Sequence, residues 1–158
     1  MIGRKYPEVS EVIETNLSQW PLVVTTYVGL VTATDVDECL AMYDRLLGAG
    51  PYGVLVMSRD VRPWESTVIQ RHAAWIKANE AELRRLCVGM ALVLPSLWQK
   101  GLLRAILWLQ PIPQPHAVFG TAGEGMAWLG DRFRVAGIEA GVSATRTGGA
   151  VPSPPAEM

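Results

Sequence analysis

The chain has 158 residues, with 14 Lys and Arg against 15 Asp and Glu and a formal net charge of -1, which excludes a broad basic field for nucleic acid or an anionic membrane. Such a length suits one domain with a core of its own, and the two cysteines, Cys39 and Cys87, stand in no metal-ligand or redox spacing. They read as buried reduced thiols, as expected of a cytoplasmic protein.

The opening MIGRKYPEVSEVIE carries no apolar signal-peptide core. Glu8 to Thr15 alternates weakly, Asn16 to Gln19 reads as a turn, and WPLVVTTYVG (Trp20 to Gly29) is rich in β-branched residues, so a hairpin is predicted. Thr34 with Asp37 predicts the cap of a helix in which Val36, Leu40, Tyr43 and Leu47 recur at helical spacing, until the GAGP of Gly48 to Pro51 ends it. GVLVMS (Gly53 to Ser58) is a continuous apolar run, the pattern of a parallel strand covered on both faces. Pro63 opens a long predicted helix to about Cys87, with Asn79 and Glu82 able to restart it after a break.

VGMALVLP (Val88 to Pro95) predicts a second buried strand, Ser96 caps the next helix, and Pro111 stops it. PHAVFG predicts a short strand, and the TAGE of Thr121 to Glu124 a capping box that opens a last helix. From Gly137 the composition turns to Gly, Ser, Thr, Ala and Pro, so the domain is placed at residues 1–136 and a disordered tail at 137–158. Strands alternating with helices imply a mixed, mostly parallel five-stranded sheet with an N-terminal hairpin and about four helices, an α/β single domain.

The longest apolar region, Val88 to Leu109, is interrupted by Pro95, Gln99, Lys100 and Arg104 and cannot supply the roughly 20 uninterrupted apolar residues of a transmembrane span. On a helical wheel Ser96, Gln99, Lys100, Arg104 and Gln110 share one arc. The opposite arc, with Leu97, Trp98, Gly101, Leu102, Ala105, Ile106, Trp108 and Leu109, is expected against the sheet. Leu103 and Leu107 then fall among the polar residues, and with Lys100, Arg104 and Trp108 they form a candidate docking face for a protein partner, a second copy of the chain or, more weakly for want of cations, an anionic lipid surface.

WPLVV (Trp20 to Val24), GVLVMSRDV (Gly53 to Val61), GMALVLPSLWQKGLLRAILWL (Gly89 to Leu109) and HAVFGTAGEGMAWL (His116 to Leu129) together resemble the SpoIIAA-like superfamily, which includes STAS domains and the STAS/SEC14-type proteins of bacteria. The resemblance spans about residues 8 to 135 and implies a SpoIIAA-like fold and a non-enzymatic regulatory or scaffolding role through protein contacts. Its SEC14 side implies, as an alternative, a carrier of a small molecule or lipid. STAS regulators carry an Asp-Ser-Ser-Gly type motif after the central strand, and its serine is phosphorylated. The corresponding stretch here, Ser58 to Ser66, lacks that motif, so Ser58, Ser66 and Thr67 are positional candidates only, and ordinary strand-end and helix-start usage also accounts for them.

No cofactor or metal is expected, because His72 and His116 fall in no ligand pairing. An enzyme would have to assemble Cys87 with His72, and no substrate follows from that pair. GTAGEG (Gly120 to Gly125) lacks the spacing and lysine of a phosphate-binding loop. Arg71 and Trp75, one turn apart, are placed to stack.

Overall fold

β-Branched and aromatic residues crowd two stretches near the start of the chain, and both are extended. In this computed structural model, which describes residues 12–138, β1 (Ile13–Gln19) and β2 (Leu22–Val28) pair antiparallel. They are followed by α1 (Ala33–Leu46), β3 (Tyr52–Arg59), α2 (Ser66–Ala78), α3 (Glu80–Leu86), β4 (Cys87–Val93), α4 (Leu97–Leu109), β5 (His116–Phe119) and α5 (Ala122–Val135). The sheet order is β1-β2-β3-β4-β5, and every pairing after the first is parallel. The expected α/β class with a mixed, mostly parallel five-stranded sheet is therefore present, with five helices rather than about four.

Several local expectations are corrected. The hairpin turns at Trp20-Pro21, through a cis peptide, whereas Asn16 to Gln19 stays within the strand. There the Asn16 side chain accepts from the Ser18 amide at 2.8 Å beside a register shift, so turn chemistry is used up in a bulge. The cap of α1 is Thr32, two residues earlier than Thr34, and Thr32 and Asp35 close a reciprocal capping box. Val31 and Val36 flank it in one buried cluster, the arrangement of a hydrophobic staple, and that packing selects the earlier pair.

The long helix expected from Pro63 is in fact α2 and α3, and Pro63 lies ahead of both. Asn79 leaves helical geometry and its side-chain amide donates back to the Trp75 carbonyl, which ends α2. Arg71 and Trp75 do not stack. Arg71 pairs with Asp37, and the Trp75 indole donates to Asp44 at 2.8 Å, so both tie α2 to α1. At the far end Gly137 adopts a left-handed φ of 79°, and the Ile138 amide returns to the Phe133 carbonyl at 2.8 Å. Gly137 and Ile138 of the expected tail thus close the end of α5, and the rest of it, 139–158, lies outside the described residues.

Alternation decides which helix covers which face. Register aligns Thr25 with Val56 and Val56 with Leu92, and Val54 with Met90, on the face that carries α1, α2 and α4. Gly53, Leu55, Gly89 and Ala91 point the other way, to α5. Coverage on both faces explains the unbroken apolar runs of β3 and β4. α5 lies close on the sheet because Gly53 has no side chain where a Cβ would meet the Phe133 ring at 2.8 Å. α4, by contrast, leans on α2 more than on any strand, and a space is left beneath it.

Candidate functional site

The space under α4 is an apolar cavity of about 110 Å3. Val56, Met90 and Leu92 make its floor, His72 and Ile76 of α2 one wall, and Gln99, Leu102, Leu103 and Ile106 of α4 the roof. Ser58, Val61 and Trp64 line it from the C-terminal end of β3, the end at which open α/β sheets gather ligands. A second cavity of about 80 Å3 adjoins it toward α1 and shares Tyr27, Val56, His72, Ile76, Met90 and Ile112. Neither is lined by an Asp, Glu, Lys or Arg.

The polar atoms in this lining are few and mostly engaged. His72 Nδ1 lies 2.9 Å from the Val68 carbonyl, which only accepts, so Nδ1 carries the proton. Nε2 is then bare and accepts from the Tyr27 hydroxyl at 3.1 Å. Trp64 stacks on the imidazole at 4.7 Å between ring centroids and 9° between planes. Gln99, 8 % exposed, donates from Nε2 to Ser58 Oγ at 2.6 Å. Two buried atoms of the lining remain without a partner, Trp64 Nε1 and Gln99 Oε1, and in the second cavity Gln114 Oε1 is in the same position. A buried unpaired polar atom costs on the order of 1–3 kcal/mol.

Burial pushes the His72 pKa below its ordinary value of 6.5, against a smaller opposing effect of the Val68 hydrogen bond. The unfolded chain therefore takes up a proton near pH 6.5 that the folded chain refuses. Stability from this group is full above that pH and shrinks as the pH falls toward the depressed folded value. Urea unfolding of wild type and His72→Phe at pH 7.5 and pH 5.5 checks this: the variant is expected to lose less stability on acidification. Equal losses would contradict a neutral buried imidazole.

The residues singled out in the sequence are distributed differently from expectation. Leu103, expected outside, is half-buried and roofs the cavity, and Leu107 is half-buried as well. The arc expected against the sheet is largely outside, with Leu97 85 % and Trp108 88 % exposed and Trp98 and Leu109 also exposed. Lys100 and Arg104 are exposed on the same helix. The reversal has a physical cause. Gln99 and Gln110 of the polar arc turn inward, where they hydrogen-bond Ser58 and Glu80 and draw their edge of the helix, with Leu103 and Leu107, toward the protein, while Lys100 and Arg104 at the other edge of the arc stay exposed.

Ser58 is occupied by Gln99, while Ser66 and Thr67 are exposed at the start of α2. Cys87 and His72 are not brought together. The Cys87 thiol, pushed up to about 12 by burial, donates to the Gly89 carbonyl at 3.4 Å and packs with Trp20 and Tyr52. Thr121 caps α5 by accepting from the Glu124 amide, so GTAGEG is a helix start. Among the described residues no group of three or more His, Cys, Asp or Glu is placed to hold a metal ion, and no helix is long and apolar enough to cross a membrane.

Trp64, Gln99 and Tyr27 were not legible as a site. The available signal was positional: Trp64 follows the central parallel strand directly and Gln99 opens the helix after the next one. No protein-family model, curated protein or solved structure matches the chain.

Proposed function

We propose that this domain is a non-enzymatic binding module that carries or senses a small, largely apolar molecule held under α4. The observation that supports it most is the apolar cavity under α4, lined by Val56, Met90, Leu92, Ile76, Leu102 and Ile106. Apolar cavities of about 150 Å3 take up benzene, and the two adjoining chambers are of that order. The reading fits the SEC14 side of the SpoIIAA-like resemblance, and the mixed, mostly parallel five-stranded sheet is compatible with that family. Thermal unfolding with increasing toluene tests it. A saturable rise in Tm is expected; a Tm unmoved up to the solubility of toluene overturns the reading.

A second reading, a cytoplasmic regulatory or scaffolding module that binds a protein or a second copy of itself, is favoured by the outer side of α4. Leu97, Trp98, Trp108 and Leu109 are all exposed there beside Lys100 and Arg104. Leu97→Asp with Trp108→Asp is expected to leave folding intact and reduce any self-association measured by native mass. An assembly unchanged by the pair would remove that face from consideration.

A further inference from the structure

The outward side of α4 is apolar along its middle and carries charge of one sign only. On a helix turning about 100° per residue, Leu97, Trp98, Trp108 and Leu109 cover about 120° of the circumference, and all four are exposed. Gly101 and Ala105 fall between them, and Lys100 and Arg104 border one edge of the strip. Neither cation forms an ion pair among the described residues. α4 has no Asp or Glu, and none occurs anywhere in residues 83–123, although the chain holds 15. Glu80, which the Gln110 side chain reaches, is half-buried on the inward side of the helix.

This one-sided charge selects among occupants. A second copy seated on α4 about a two-fold axis would bring Lys100 and Arg104 against a helix with no carboxylate to meet them. An anionic lipid surface meets both. Lys and Arg beside an apolar strip lay their stems along it and keep their charge among the headgroups. Trp98 and Trp108 place an indole toward each end of the helix, about 15 Å apart along its axis, and indole favours the boundary between hydrocarbon and water. α4 is about 20 Å long, short of the hydrocarbon core of about 30 Å, so its fit is to the plane of the interface and not to a span.

We infer that the outer side of α4 docks on the surface of an anionic lipid bilayer, with Leu97, Trp98, Trp108 and Leu109 entering the acyl boundary and Lys100 and Arg104 held at the headgroups. The inference rests on that side being a docking face, as in the second reading above, and assigns it a lipid occupant in place of a protein. The structure is what favours lipid: it turns the two cations and the four large apolar side chains to one side of the helix, where the sequence separates them.

The probes are vesicles of phosphatidylcholine alone and with about 30 % phosphatidylserine, with binding of the full chain read by co-sedimentation. Wild type is expected to partition at least about tenfold more strongly onto the anionic vesicles, and less so as salt is raised. Lys100→Gln with Arg104→Gln is expected to lower that partitioning about twentyfold, at about fivefold per cation. Leu97→Ser with Trp108→Ser is expected to weaken binding to both kinds of vesicle. All variants change exposed side chains, and an unchanged Tm shows that they fold. Equal binding to the two kinds of vesicle, or anionic binding that survives both double substitutions, would overturn the lipid assignment. Absence of vesicle binding together with a native mass that Leu97→Asp and Trp108→Asp reduce would also overturn it, and would leave the second reading standing with a second copy as occupant. Absence of both vesicle binding and self-association would overturn the lipid assignment and remove those two occupants from the face.

Discussion

Phe133→Ala is expected to destabilise the domain by about 3–5 kcal/mol, a large share of the stability of an ordinary domain. The ring is 1 % exposed and packs in the cluster of Leu22, Leu55, Ala91, Val93 and Leu129 that joins α5 to the sheet. Its loss removes buried area and leaves a void over Gly53. Gly53→Ala in the wild-type background drives a Cβ to 2.8 Å from the same ring, which cannot yield without moving α5, and overpacking of this kind costs about 1–3 kcal/mol. In the Phe133→Ala background the added methyl enters the void, and its cost should largely vanish. Urea unfolding of the four proteins in this cycle measures the coupling. Additive effects would contradict the close approach of α5 at Gly53.

Leu103→Trp is expected to abolish the stabilisation by toluene while leaving the fold intact. Toluene at ten times its Kd contributes about 1.4 kcal/mol and raises Tm by about 3–8 °C in a domain of this size. The larger side chain enters the same space from the roof of the cavity. Because it fills a void, the overpacking cost of a tightly packed core should not arise in full. Leu102→Phe, a smaller change to the same roof, is expected to weaken the toluene effect in proportion to the volume it occupies. A Tm rise that survives both substitutions would place toluene elsewhere, with the exposed side of α4 the first alternative.

The sheet was legible because its signals are unambiguous. The runs of β3 and β4 are apolar throughout since both faces are covered, and Ser96 and Thr121 cap the helices that they precede. The orientation of α4 was not. On a helix with apolar residues all round, the few polar ones decide the reading, and Gln99 and Gln110 face inward with partners that come from β3 and α3. Leu103 and Leu97 exchange roles as a result: an Asp at position 103 is now expected to place a carboxylate in an uncharged lining. Trp64 escaped notice for another reason. It lies in the segment between β3 and α2, where no periodicity reports burial, and its contacts with His72 and Tyr27 join distant parts of the chain.

The most direct test follows the indole N–H resonances of the six tryptophans by NMR as toluene is added, with Trp64 assigned through Trp64→Phe. A saturable shift concentrated on the Trp64 indole, with Trp98 and Trp108 unmoved, is the expected result, since Trp64 lines the cavity and the other two side chains are exposed. A Trp64 resonance that stays fixed while Trp98 and Trp108 move would contradict a ligand site under α4.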